Sequence, residues 1–400
     1  TLRNDIFSIF NKGPVTPDHV IRIKSKPLVI KITEIRKIEK NPNYLFSIIK
    51  KYSINYKKYF LKYKKEVINC KISDSLPRII ILQGIGFFSI GRNLKEETIS
   101  KDIFSSMKDS ILDATLLGNF KSINNKEIFK MEYWPLERAK LNNLKRNKLE
   151  GNIAVITGGA GTIGLAVAKK FIKEGLIVIL IDKIFNLENK THIQIANQCT
   201  KIKCNLTKDS EINKDINEIV NKFGGIDILV SNAGIAYQGS IDSVNEKIIR
   251  DSFDINFYSH QKITQKIVNI MKMQNMGGSI MFNLSKQAVN PGKNFGPYGL
   301  AKSSALFLMK QYALEIGQYN IRVNGINADR IQSGILTNQL INQRSKARKT
   351  TKEKYLSNNL LQQEVMAEDV AEAFFAQILL KKTTGNIITV DGGNIEASLR

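Results

Sequence analysis

From residue 153 onward, short β-branched runs alternate with helical segments: IAVIT (153–157), LIVILI (176–181), KIKC (201–204), IDILV (226–230), SIMFNL (279–284), IRVNGI (321–326) and NIITV (386–390). Strands separated by helices form crossover connections rather than hairpins. The pattern therefore predicts an α/β fold, a doubly wound parallel sheet covered by helices on both faces.

The preceding residues read differently. KPLVIKI (26–32) predicts a strand, 44–65 a basic helix, RIIILQGIGFFSIG (78–91) an apolar strand-like run and 94–118 a second helix. On the first helix, Ile48, Ile49, Tyr52, Tyr56, Tyr59, Phe60 and Tyr63 share one face, which predicts core packing rather than a nucleic-acid surface. The polar stretch 141–152 reads as a linker, so two domains are expected, 1–148 and 149–400.

The net charge is +24, with 30 Lys and Arg against 15 Asp and Glu in residues 1–150 alone. Such a balance attracts nucleic acid or anionic surfaces. Here the lysines are dispersed, Lys, Ile and Asn abound throughout, and no nucleic-acid motif accompanies them, so no nucleic-acid partner is expected. No apolar run approaches the roughly 20 residues of a membrane span. Three cysteines form no CxxC pair. With no basic-then-apolar leader, a reducing cytoplasm is the expected location.

The first strand of the alternating half runs into TGGAGTIG (157–164), which opens a helix. Gly159, Gly161 and Gly164 satisfy GxGxxG in the strand–turn–helix context that the motif needs. Glycines there admit a pyrophosphate close to the backbone, and its charge meets the N–H groups of the helix start. Asp182 closes the next strand, where a carboxylate can accept from an adenosine ribose. Loop and carboxylate together favour a dinucleotide without a 2′-phosphate, hence NAD.

Tyr298 and Lys302 are four residues apart, on one helical face. A nearby ammonium can depress a phenol's pKa and also hydrogen-bond a ribose. Ser285, just past the SIMFNL strand, can hold a substrate oxygen beside that phenol, and Asn256 in DINF can anchor a proton-relaying water.

These segments recur as an ordered series: TGGAGTIG, DILVSNAG (227–234), DINF (254–257), Ser285, YGLAK (298–302), IRVNGIN (321–327), AEDVAEAF (367–374) and TGNIITVDGG (384–393). In this order they resemble the short-chain dehydrogenase/reductase family over about residues 150–400. The resemblance implies a Rossmann-type sheet and NAD(P)-dependent hydride transfer at a carbon–oxygen bond. It implies Asn256, Ser285, Tyr298 and Lys302 as a catalytic tetrad. It also implies a cofactor site built from Gly158, Gly159, Gly161, Thr162, Ile163, Gly164, Asp182, Asn205, Leu206, Asn232, Ala233 and Gly234, together with Tyr298 and Lys302. Asn232 is expected to brace the central sheet. Five residues depart from the family pattern. Thr162 replaces a loop glycine, and Asn205 stands for the usual aspartate near the adenine. Ala328 and Asp329 replace a proline-glycine pair, and Lys286 ends the NLSK run.

NLSKQAVNPGKNFGPYGLAK and NADRIQSGILT (327–337) further resemble bifunctional aldolase/short-chain dehydrogenases of the rhamnulose-phosphate aldolase–lactaldehyde dehydrogenase type. TPDHVIRIKSKPLVI (16–30), PRIIILQGIGFFSIGRN (77–93) and EYWPLERAKL (132–141) resemble the last part of a class II aldolase domain. That family holds zinc through three histidines. This chain has only His19, His192 and His260, two of them in the dehydrogenase-like half. No metal is therefore expected here, and a zinc site is expected upstream of Thr1.

The resemblance thus implies an NAD-dependent oxidoreductase for a small aldehyde, alcohol or sugar such as lactaldehyde, and a homo-oligomer built through the dehydrogenase domain. A non-catalytic, cofactor-binding or structural half of an aldolase assembly is the alternative.

Overall fold

The computed structural model describes residues 5–141, 147–334 and 336–394. The centre of the expected linker, 142–146, lies outside the described residues. The chain divides into two compact units, Thr1–Arg146 and Asn147–Arg400.

In the first unit, β1 (Leu28–Ile30) pairs in parallel with β2 (Ile79–Leu82), which pairs antiparallel with β3 (Gly86–Ser89). The single strand-like run read over 78–91 is thus a hairpin. Gly84 adopts φ +85, a left-handed conformation that glycine reaches without steric cost, and the chain reverses there. The helix Leu94–Leu117 starts where Asn93 accepts from the Glu96 amide, a side-chain cap. Its Phe104, Met107 and Ile111 bury against Ile79, Ile81 and Val29. The helix Asn43–Tyr63 buries only Tyr56 and Phe60, against Phe129 and Tyr133 of the helix Asn125–Tyr133. The apolar face read along that helix is therefore fully covered only near its C-terminal end, and Ile48 and Tyr52 instead border an open cleft.

The second unit contains β4 (Ile153–Thr157), β5 (Ile177–Asp182), β6 (Thr200–Lys203), β7 (Ile228–Ser231), β8 (Gly278–Asn283), β9 (Ile321–Ala328) and β10 (Ile387–Val390). They form one sheet in the order β10-β9-β8-β7-β4-β5-β6, and every pairing is parallel. Apolar cores cover both faces, so the central strands are buried throughout, as in parallel sheets flanked by helices. The order reverses between β4 and β7. The loops after these strands part there and leave a crevice at their carboxyl ends, where doubly wound folds bind ligands. No described helix is long and apolar enough to cross a membrane.

Candidate active site

A cavity of about 350 Å³ opens at that reversal, lined by Gly158, Gly161, Asp182, Asn205, Asn232 and Gly234 among others. Two glycines are demanded by its walls. Gly158 has φ +61, and an added Cβ would stand 2.9 Å from the Ala233 Cα. A Cβ on Gly164 would meet the Gly158 carbonyl oxygen at 2.3 Å. The loop can therefore fold tightly against β7 and the following helix only without side chains at these two positions. Gly161 is the N-cap of the helix Thr162–Lys173, so Thr162, the residue that departs from the glycine pattern, takes the first helical position. Ile163 also lines the cavity. Gly159 lies against Leu180 of β5, where a Cβ would come within 2.7 Å.

Asp182, at the end of β5, is partly exposed on the cavity wall. One carboxylate oxygen accepts from the Ala160 amide at 3.0 Å, tying the strand end to the glycine loop. Asn205 folds its amide oxygen onto the Thr207 amide and hydroxyl at 3.2 and 2.9 Å, shaping the far wall with Leu206. Asn232 donates to the carbonyls of Thr157 and Gly158 at 3.0 and 3.2 Å. Its own oxygen accepts from Asn283 Nδ2 at 2.7 Å. One side chain thereby joins the ends of β4, β7 and β8.

Ser285, Tyr298, Lys302 and Asn256 are brought together beyond these strand ends. The helix Gly296–Ile316 carries Tyr298 and Lys302 on its buried face. Burial pushes the Tyr298 phenol up to about 12, partly opposed by the neighbouring Ser285 hydroxyl. Desolvation disfavours the charged form of either group, raising a phenol and lowering an ammonium. Lys302 is accordingly pulled down to about 8. Its Nζ donates to the Asn283 carbonyl at 2.8 Å and lies 5.8 Å from the Tyr298 ring centroid. Burial thus raises the phenol, the reverse of the depression read from the spacing.

Asn256 is fully buried within a π-helical turn, Asp254–Tyr258, a local widening that re-aims side chains. Its amide oxygen accepts from the Ile235 amide at 3.1 Å, and its nitrogen donates to the Ile235 and Ser252 carbonyls at 2.9 and 3.1 Å. The side chain is thus occupied in strapping the segment after β7. A Cβ on Gly234 would meet the Asn256 oxygen at 2.9 Å, so the strap lies flat only at a glycine.

Lys286 points elsewhere. Its ammonium pairs with Asp329 at 3.6 Å, leaving Ser285 as the residue beside the phenol. Asp329 also accepts from Asn394 Nδ2 at 2.6 Å and pairs with Arg330 at 3.5 Å. A polar cluster thus fixes the loop where the family pattern has proline-glycine.

Two contributors escaped the sequence reading. Asn283 links Lys302 to Asn232, and its only signal was its place two residues before Ser285. His260 is buried, with Nδ1 2.6 Å from the Ser231 hydroxyl and its ring stacked on Phe282. Burial and the Lys302 ammonium hold it well below the usual imidazole range, hence neutral. A lone histidine in an amphipathic helix gives no sequence sign of that role. His19 is buried in the first unit. Among the described residues no group of three or more His, Cys, Asp or Glu is placed to hold a metal ion.

Residues 152–344 match the family model described as short chain dehydrogenase, and residues 1–141 match "Aldolase class II, second domain". Over 398 residues the chain is 31% identical to "Uncharacterized oxidoreductase YuxG" of Bacillus subtilis (strain 168), covering 95% of this chain and 57% of that protein. It therefore spans little more than half the length of this relative. It is also 31% identical to "Dehydrogenase/reductase SDR family member 4" of Oryctolagus cuniculus, across 45% of this chain and 70% of that protein. Among solved structures, carveol dehydrogenase from Mycobacterium avium in complex with NAD superposes with a TM-score of 0.57. That match has 21% identity and covers 62% of this chain and 99% of the other. The chain belongs to the short-chain dehydrogenase family.

Proposed function

We propose that the chain transfers hydride between NAD and a C–O centre of a small hydroxy-aldehyde, alcohol or sugar, with Tyr298 as the acid/base. The observation that carries this reading is the chain of contacts from Tyr298 through Ser285 on one side, with Lys302, Asn283 and Asn232 on the other, at the end of the glycine-walled cavity.

A dinucleotide fits what the cavity offers. The loop at Gly158 and Gly164 has no room for side chains, the Thr162–Lys173 helix directs its first N–H groups at a pyrophosphate, and Asp182 stands where an acceptor for ribose hydroxyls is needed. A nicotinamide held there would supply the hydride acceptor for oxidation and the hydride donor for reduction. In the oxidative direction, Ser285 and Tyr298 hold the substrate oxygen between two hydroxyls, and the proton leaving that oxygen passes to the Tyr298 oxygen. Lys302 lowers the cost of the phenolate and is itself oriented by the Asn283 carbonyl. Asn256 positions the 233–235 segment that walls off the ammonium.

The lactaldehyde-type substrate rests on the likeness of residues 283–302 and 327–337 to bifunctional aldolase/dehydrogenases. An aldehyde would be oxidised as its hydrate, which presents an alcohol-like C–H. A steady-state assay with NAD and a panel of short aldehydes, alcohols and deoxysugars tests the proposal. Turnover with none of them would favour the non-catalytic, cofactor-binding reading.

A further inference from the structure

Beyond Ser285 and Tyr298, the site continues into space that hydride transfer itself does not need. A small cavity of about 110 Å³ is lined by both of these residues and also by Arg330 and Arg344. Phe295, Arg330, Arg344 and Tyr355 border this cavity and an adjoining cleft of about 600 Å³. We propose that the substrate oxidised at Tyr298 carries an anionic group, a carboxylate or a phosphate ester, and that Arg344 binds it. This inference rests on the dehydrogenase reading above and selects, from its range of alcohols and sugars, the anionic members.

Five cations line the cleft, Lys286, Lys293, Arg330, Arg344 and Arg348, against one carboxylate, Asp329. The whole chain has 60 Lys and Arg to 36 Asp and Glu, so its general basic bias does not account for five to one. Arginine supplies only 13 of those 60 bases, yet three of the five here. A planar guanidinium fork matches the paired oxygens of a carboxylate or phosphate in a way that an ammonium does not.

The cations differ in what already occupies them. Asp329 is shared by Lys286 at 3.6 Å and Arg330 at 3.5 Å. Arg330 also donates through Nη1 to the Tyr355 and Asn358 carbonyls at 3.2 and 2.9 Å, so its fork serves the fold. Among the described residues no carboxylate pairs with Arg344. Half-buried on the helix Asn338–Ala347, it stacks over the Phe295 ring at 4.3 Å, and its Nη1 donates to the Tyr355 hydroxyl at 3.3 Å. Stacking fixes the plane of the fork and leaves donors along its edge for a ligand. Arg348, one turn further on and exposed, adds a second positive charge at the mouth.

Phe295 also sets the reach from this fork to the reacting centre. Its ring centroid is 6.3 Å from that of Tyr298, so phenol and guanidinium stand one aromatic ring apart. At roughly 1.5 Å per carbon–carbon bond, that separation suits a substrate of about three to six carbons, oxidised at one end and anionic at the other.

Two matched series test this with NAD and the full chain. One is glycerol, glycerol 3-phosphate and glycerate; the other is glucitol, glucitol 6-phosphate and gluconate. In wild type, an anionic member of at least one series should exceed its neutral parent at least about tenfold in kcat/KM, equivalent to roughly 1.4 kcal/mol. Preference for the phosphorylated members assigns a phosphate ester, and preference for the acids a carboxylate. Arg344→Gln should reduce that ratio at least about tenfold, through KM for the anionic member. Arg344→Lys, which keeps the charge without the fork, should retain part of it. Neutral parents turned over as well as their anionic relatives would overturn the inference and leave the dehydrogenase reading standing. An unchanged ratio in Arg344→Gln, or equal losses for both members, would overturn the role of Arg344. Turnover of none of the six compounds would overturn the dehydrogenase reading and this inference with it.

Discussion

The ammonium of Lys302 donates to the main-chain carbonyl of Asn283 at 2.8 Å. This bond fastens the helix that carries Tyr298 to the end of β8, the strand that leads into Ser285. Two residues that sequence spacing could only place on neighbouring elements are thereby fixed relative to each other. The bond also leaves a buried positive charge without a carboxylate, an arrangement that costs stability in the absence of a ligand.

Lys302→Met exposes both sides of that arrangement. The folded state binds this proton more weakly than the unfolded chain, because burial lowers the ammonium to about 8. Wild-type stability from this group is therefore diminished at neutral pH and recovers as pH rises from about 8 towards 10.5. The variant should be more stable than wild type by roughly 1–3 kcal/mol at pH 7, an advantage that shrinks by pH 10. Denaturant melts at the two pH values measure this difference. Turnover and NAD affinity should both fall. Loss of only one would show that the ammonium does not serve both phenol and ribose.

Asp182 should set the cofactor preference. A 2′-phosphate beside its carboxylate brings like charges together, which costs several kcal/mol, and Lys183 alone, an exposed cation, offsets little of it. NAD should exceed NADP by at least about tenfold in kcat/KM, equivalent to roughly 1.4 kcal/mol. Asp182→Ala should shrink that ratio, chiefly by weakening NAD, and also frees the Ala160 amide. An unchanged ratio would mean that this carboxylate does not read the ribose.

Gly158→Ala forces a side chain into φ +61 and to 2.9 Å from the Ala233 backbone. A loss of about 1–3 kcal/mol in stability is expected, with at least tenfold weaker NAD binding by fluorescence titration. Gly224→Ala serves as the comparison, since its φ of +85 imposes similar backbone strain but an added Cβ meets nothing within 4 Å. Equal NAD affinity in the two variants would contradict the close approach at Gly158.

A homo-oligomer through the dehydrogenase unit has a physical basis in the Tyr298 helix. Leu300, Phe307 and Leu314, spaced by seven residues, are 47%, 70% and 79% exposed and form an apolar stripe. Phe307→Glu should lower the sedimentation coefficient. A wild type that sediments as a monomer would remove this part of the account.

Much of the second unit was legible in its sequence because parallel strands buried on both faces write themselves as apolar runs and glycine loops cannot be built otherwise. All seven strands fall within two residues of their expected positions. The site was legible at Tyr298, Ser285 and the glycine loop, where spacing follows from helix and strand geometry. It was not legible at Asn283, whose role rests on a main-chain carbonyl, nor at His260, whose neutrality depends on enclosure. The strand-like run 78–91 was misread as one strand because a hairpin turn at Gly84 lacks the usual asparagine or aspartate partner. The core face of the helix Asn43–Tyr63 was overdrawn, since periodicity reveals an apolar face but not how far a neighbour covers it.

The central claim is that the Tyr298 oxygen carries the proton. Tyr298→Phe keeps the ring and removes only that oxygen, so the apolar packing against Phe295 is preserved. With the best substrate from the assay panel, kcat for NAD-dependent oxidation should fall by at least about 10²-fold while NAD affinity stays within about threefold. In wild type the rate should rise with pH along a limb that this variant lacks, because oxidation requires the phenolate. Near-normal turnover in Tyr298→Phe with the same pH limb would contradict the account.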